Sequence, residues 1–272
     1  MTGAAAQSRE RTMGERISGK SFLLGPVVFV LSIAALLATW AAMEPAALCR
    51  AFDENGYSPF ELATLPFFAA IIPLVWWMCP FTGSARRRAT LCAAVSLVAF
   101  MAIVKEMDLH LVAMHWLFPD VVGADGCVRG LVKPNGAELT GTPFKMRFLT
   151  NVDAPLAAKA VVVAYFVSLF GVFAALLAYF SVPLFRGIFS LHPVAWTMGC
   201  FGASGVMVQI MDRLPAWIRH ARGLPKEKVA DASTALCTCL EEGGEMMIAI
   251  FALIAIVQAH RLYRCGGRQP FD

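Results

Sequence analysis

Charged side chains are scarce in this sequence: 15% of its 272 residues are Asp, Glu, Lys or Arg, against roughly 25% in an ordinary soluble domain. A chain so depleted cannot cover a normal water-facing surface. Histidines number only five, which excludes a His-rich metal tract. No polar stretch is long enough to form a separate soluble domain, and there is no internal repeat. Basic residues are not interleaved with aromatics, so nucleic acid is not expected as a partner. The net charge of +4 then reads as loop arginines that fix topology. No small-x-small cleavage pattern closes the first apolar run, so an uncleaved first span is expected, not a removed signal peptide.

Hydrophobic residues are what the chain has in abundance, at 58%. Six apolar runs approach or exceed the roughly 20 residues needed to cross about 30 Å of hydrocarbon as a helix. They cover Phe22–Met43, Phe60–Cys79, Ala89–Val104, Leu156–Val182, Pro193–Met211 and Leu240–Ala259. Within lipid each backbone amide must be satisfied by its own segment or a neighbour, so the runs must be helices, Pro66 and Pro73 notwithstanding. The expected fold is all-α: a polytopic membrane helix bundle of about six transmembrane helices, with both termini on the same side and membrane lipids around it. A polar tail at 1–20 precedes a membrane bundle at 21–260 with an outer loop at 106–155, and a second tail covers 261–272. The compact Arg86-Arg87-Arg88 triplet and the tail arginines, among them Arg261, Arg264 and Arg268, place both termini in the cytoplasm.

That topology brings three polar clusters, distant in sequence, to one membrane level. Lys105-Glu106-Met107-Asp108-Leu109-His110 ends the third span, Asp212-Arg213 ends the fifth, and Glu241-Glu242-Gly243-Gly244-Glu245 begins the sixth. Ionisable groups at the edge of a span usually face the bundle interior and often mark function. Glu241 and Glu245 are one helical turn apart with Glu242 about 100° round, so all three share an arc. Three like charges so close need a cation or a bound proton. The plain structural alternative is solvated carboxylates at headgroup level, meeting the helix N-terminal dipole. Gly243-Gly244 favours the functional reading, because each glycine weakens a helix by roughly 1 kcal/mol unless close packing compensates.

Glu106 and His110 are four apart, a spacing at which a carboxylate and an imidazole could hold a divalent ion or relay a proton; the alternative pairs Lys105 with Asp108. The candidate metal ligands are Glu106, Asp108, His110 and Glu245, and the candidate catalytic groups Glu241, Glu242, Glu245 and Asp212, with Arg213 as a counter-charge. Hard oxygens with one imidazole suit Mg, Mn, Zn or Fe as divalent ions.

Of the eight cysteines, Cys49 and Cys127 fall in outer loops and could form a disulfide in an oxidising compartment. Cys237 and Cys239 form a lone C-x-C, and Cys79, Cys92, Cys200 and Cys265 read as filler. The outer loop opens with an apolar stretch, Leu111 to Val122, that could lie along the interface. It then becomes turn-rich at Lys133-Pro134-Asn135-Gly136, as a lid or an inert connector would.

The basic-Glu-x-Asp-x-His stretch at 105–110, Asp212-Arg213, and the Leu-Glu-Glu-x-x-Glu start at 240–245 resemble motifs of uncharacterised multipass inner-membrane proteins of bacteria. The resemblance implies an inner (plasma) membrane location and no particular activity. A fainter likeness is to membrane hydrolases of the alkaline ceramidase type; their H-x-x-x-H pair is missing, since His110 and His115 are five apart. Three functions follow as alternatives. The first is metal-dependent hydrolysis or transfer on a lipid-like substrate, and the second a small proton- or cation-coupled transporter. The third is an assembly subunit, whose small-residue face at Gly199, Gly202, Ala203 and Gly205 would support homo- or hetero-oligomers. A transporter would also need polar groups toward the other side, where only Ser168, Ser204 and His192 stand out.

Overall fold

The computed structural model describes residues 22–52, 58–131, 141–221 and 231–264. The expected tails at 1–20 and beyond Arg264, the turn at Lys133–Gly136 and Cys265 lie outside them. The described residues are helical, with one isolated antiparallel bridge between Val122 and Val128. In chain order the helices are α1 (Leu24–Ala42), α2 (Pro45–Phe52), α3 (Pro59–Met78), α4 (Ala85–Glu106), α5 (Leu109–Leu117), α6 (Met146–Leu149), α7 (Leu156–Phe189), α8 (Pro193–Ala221) and α9 (Ala232–Arg264).

Five of these are long and apolar enough to cross a membrane: α1, α3, α4, α7, and α8 as far as Ile218. Their apolar side chains are left open. Val30, Leu31, Trp77, Phe170 and Phe185 are each more than half exposed. Water would not tolerate such helices, whereas hydrocarbon requires them. The chain is therefore an all-α membrane protein with several apolar spans. The expected sixth run lies inside α9, a helix of 33 residues that is not among the five. It differs from them in being wrapped by α1, α2, α3 and α8.

The chain divides into two compact units, Met1–Ala99 with Tyr179–Asp272, and Phe100–Ala178. In the first, α9 is the centre. Leu36, Leu48, Phe52, Ala235, Cys239, Leu240, Met247 and Phe251 form one buried cluster along it, and Val194, Ala255 and Ala259 another. Ser58 starts α3 with a capping box: its hydroxyl accepts from the Glu61 amide at 3.1 Å while Glu61 Oε2 accepts from the Ser58 amide at 2.8 Å. The same hydroxyl donates to Phe52 O at 2.9 Å, tying α2 to α3.

The second unit has its own core of Met114, Val122, Val128, Leu131, Phe148, Ala154, Ala158 and Val162. The segment expected to be a lid or connector is thus packed. α5 contributes Met114 to that core and keeps Val112, Trp116 and Leu117 exposed. His115 Nδ1 lies 2.8 Å from Val122 O, fixing the turn that follows α5.

Candidate acidic site

Asp231 decides where the carboxylates of α9 fall. Its Oδ1 accepts from the Thr234 amide at 2.7 Å and the Ser233 hydroxyl at 2.9 Å, the bonds an N-cap supplies. The helix therefore begins at Ala232, and Glu241, Glu242 and Glu245 sit more than two turns inside it. This removes the helix-dipole part of the plain alternative drawn from the sequence. The dipole's favourable effect is confined to about the first turn, so it gives these carboxylates no support.

Glu241, Glu242 and Glu245 are half-buried, and the glycines between them are fully buried. A Cβ on Gly243 would collide with the methyls of Leu36 on α1, and one on Gly244 would stand 2.6 Å from Val208 Cγ2 and 3.0 Å from Met207 Cε on α8. The glycine pair is thus a packing device: it lets α1 and α8 close on α9 from two directions. The same closeness half-buries the glutamates beside it. Glu242 and Glu245, three apart on one face, each bring a carboxylate oxygen within 4.8 Å of the other. Two ionised carboxylates at that range repel by roughly 3 kcal/mol at an effective dielectric near 20. These two residues could hold a cation; Glu241 is displaced round the helix from both.

Asp212 and Arg213 pair with each other, Arg213 Nε to Asp212 Oδ2 at 3.0 Å, with side chains 66% and 46% exposed for Arg213 and Asp212. The structure thus keeps this pair at the surface, where it contributes about 0–1 kcal/mol.

In the second unit the chain breaks where the sequence reading had continued a helix. α4 ends at Glu106, and Asp108 adopts the left-handed conformation at φ 50° before α5 begins. Glu106 and His110 therefore lie on different helices, α4 and α5, and do not share one helical face. Glu106 is nonetheless held low in exposure, its side chain 5% exposed, with Lys105 Nζ 3.1 Å from its Oε1. His110 turns into an aromatic cluster: it stacks on Tyr165 at 5.5 Å and meets Phe144 edge-on at 4.7 Å. Its Nδ1 lies 3.3 Å from Val104 O. Burial pushes the imidazole's pKa below its usual range, with the Val104 carbonyl and Asp108 acting the other way.

Two polar groups escaped the sequence reading. Thr197 on α8 donates to Gln258 Oε1 on α9 at 2.7 Å, with both residues buried, and among the described residues Gln258 Nε2 has no partner. Gly25 on α1 packs against this Thr197, a Cβ there standing 2.8 Å from its Cα. The signal available was Gln258 itself, a lone amide within an otherwise apolar run. Among the described residues, neither Cys49 nor Cys127 is in a disulfide.

No protein-family model, curated protein or solved structure matches the chain.

Proposed function

We propose that Glu242 and Glu245 bind a divalent cation inside the membrane bundle, and that the chain is a metal-dependent membrane enzyme acting by hydrolysis or group transfer on a lipid-like substrate. The observation that carries this reading is the approach of two half-buried carboxylates within 4.8 Å on the central helix, beyond reach of the helix dipole. Hard oxygen donors favour Mg, Mn, Zn or Fe(II) over thiolate-seeking ions. A bound ion of this kind acidifies a coordinated water. Glu241, next in the chain and half-buried, is then the carboxylate left to take that water's proton as general base.

The reading is tested by metal analysis of the protein purified in lipid nanodiscs, beside Glu242→Gln and Glu245→Gln. One equivalent or so of metal in the wild type and little in either variant supports it; equal, negligible metal in all three refutes it. Glu106→Gln and His110→Ala, in the same assay, measure whether the groups expected at the same membrane level contribute. The proposed location is the bacterial inner membrane with both termini cytoplasmic, and fusions reporting the side of each terminus check this.

The buried Thr197–Gln258 bond is the observation that favours the transport alternative, because it puts polar groups deep between α8 and α9. Cation flux into proteoliposomes, abolished in Glu242→Gln, would select that alternative over the enzyme.

A further inference from the structure

We infer that Cys79 and Cys92 are a redox pair, two thiols that a hydroperoxide converts to a reversible disulfide tying the end of α3 to α4. Their spacing in the chain does not join them. In the first unit both converge on one carbonyl, that of Val75. The Cys79 amide donates to it at 3.0 Å as the cap of α3, and Cys92 Sγ donates to it at 3.4 Å from α4. The two side chains are close enough to interact. Cys79 holds the left-handed conformation at φ 39°, where glycine or asparagine is the usual helix-ending residue. A cysteine here carries the backbone penalty and sets its sulfur against its partner.

The pair is asymmetric in access. Cys92 is 1% exposed, whereas Cys79 is only half-buried at the end of its helix. Cys79 is therefore the attacking thiol and Cys92 the resolving one. The Cys79 sulfur attacks one oxygen of the hydroperoxide; the S–O bond forms as the O–O bond breaks. The departing oxygen takes the thiol proton and leaves as water or alcohol, with Cys79 a sulfenic acid. The Cys92 sulfur then attacks the Cys79 sulfur; the S–S bond forms, the S–O bond breaks, and hydroxide leaves with the Cys92 proton as water. The two sulfurs lose two electrons together, and the peroxide gains them.

The first turn of α4, between the two cysteines, carries the arginine triplet, on the side read from the sequence as cytoplasmic. Reduction prevails there, and disulfides in such a compartment are transient and redox-responsive. The experiment uses the full chain in nanodiscs, reduced, freed of reductant, exposed to hydrogen peroxide, alkylated and digested for mass spectrometry without reduction. A Cys79–Cys92 linked peptide that disappears on reduction supports the pair. Cys92→Ala, which keeps a small apolar group in the core, should leave Cys79 to proceed to the sulfinic acid. Before oxidation, Cys79 should alkylate at least about tenfold faster than Cys92, as its exposure dictates. Absence of the linked peptide in the wild type, or oxidation spread evenly over all cysteines, overturns the inference.

Discussion

Alanine at position 244 is the most discriminating test of how the central helix is built. In an open helix Gly→Ala stabilises by roughly 1 kcal/mol. At Gly244 the new methyl would stand 2.6 Å from Val208 Cγ2, about 1 Å short of ordinary contact. Met207 Cε, at 3.0 Å, is the free end of a flexible chain and can swing away. Val208 cannot, because a β-branched residue in a helix has one strongly preferred χ1 and Val208 is 5% exposed. Either α8 backs away from α9 or the valine leaves its rotamer. Overpacking of this kind costs about 1–3 kcal/mol; set against the propensity gain, the net is a loss of up to about 2 kcal/mol. At Gly243 both methyls and the Cγ of Leu36 stand in the way and Leu36 is buried, so Gly243→Ala should also lose stability by overpacking. Reversible unfolding in mixed micelles, followed by far-UV circular dichroism, gives both values. Val208→Ala should restore most of what Gly244→Ala loses, with a coupling of about 1 kcal/mol or more. If Gly244→Ala instead raises stability by its full propensity gain, or Val208→Ala fails to rescue it, the close approach of α8 and α9 is refuted.

Three further outcomes follow from particular contacts. Thr197→Val removes the hydroxyl bound to Gln258 and should cost about 1–3 kcal/mol, whereas Thr197→Val with Gln258→Leu should recover most of it, since no polar group is then stranded; equal losses in the single and double variants would refute this. Ser58→Ala removes one side of the capping box and the donor to Phe52 O, and should cost about 1–2 kcal/mol in the same unfolding assay. Because burial lowers the pKa of His110, the folded state favours its neutral form. Stability should be full above the unfolded value near 6.5 and be lost as pH falls through it toward the depressed folded value. Wild-type Tm should therefore drop more than that of His110→Gln between about pH 7 and pH 5, and parallel slopes would contradict it.

Hydropathy made the spans legible because lipid leaves a chain few choices. Each of the six runs read from sequence coincides with a helix, Phe60–Cys79 against Pro59–Met78 differing by a residue at each end. The largest errors are helices that outrun their apolar stretch. α4 starts at Ala85, four residues before its apolar run, because Ser84 Oγ accepts from the Arg87 amide at 3.3 Å. α8 continues to Ala221, ten residues past the expected end, through Pro215. An apolar run marks where hydrocarbon begins and ends; helical hydrogen bonding continues until a cap or a broken dihedral stops it. The break after Glu106 is the converse case. Nothing in Met107-Asp108 announces a left-handed residue as glycine would, so the spacing of Glu106 and His110 looked helical when it is not. The Cys79–Cys92 contact was likewise invisible, since it depends on two helices folding back across the loop that begins at Pro80.

The position of the acidic residues on α9 turns on the same distinction between apolar run and helix. Counted from Leu240, where the hydrophobic run begins, the glutamates look like first-turn residues that a helix dipole would welcome. Counted from Asp231, whose carboxylate caps the helix, they are interior residues with their backbone amides already committed to helical bonds. A carboxylate in the first turn can be explained by the free N–H groups ahead of it. Glu242 and Glu245 have none to use, yet their oxygens lie within 4.8 Å of one another on the helix that the rest of the first unit packs around. Whatever offsets their repulsion must come from outside the backbone of α9. The proposed cation would meet that requirement, as a bound proton would, and negligible metal in the purified wild type would leave only the proton.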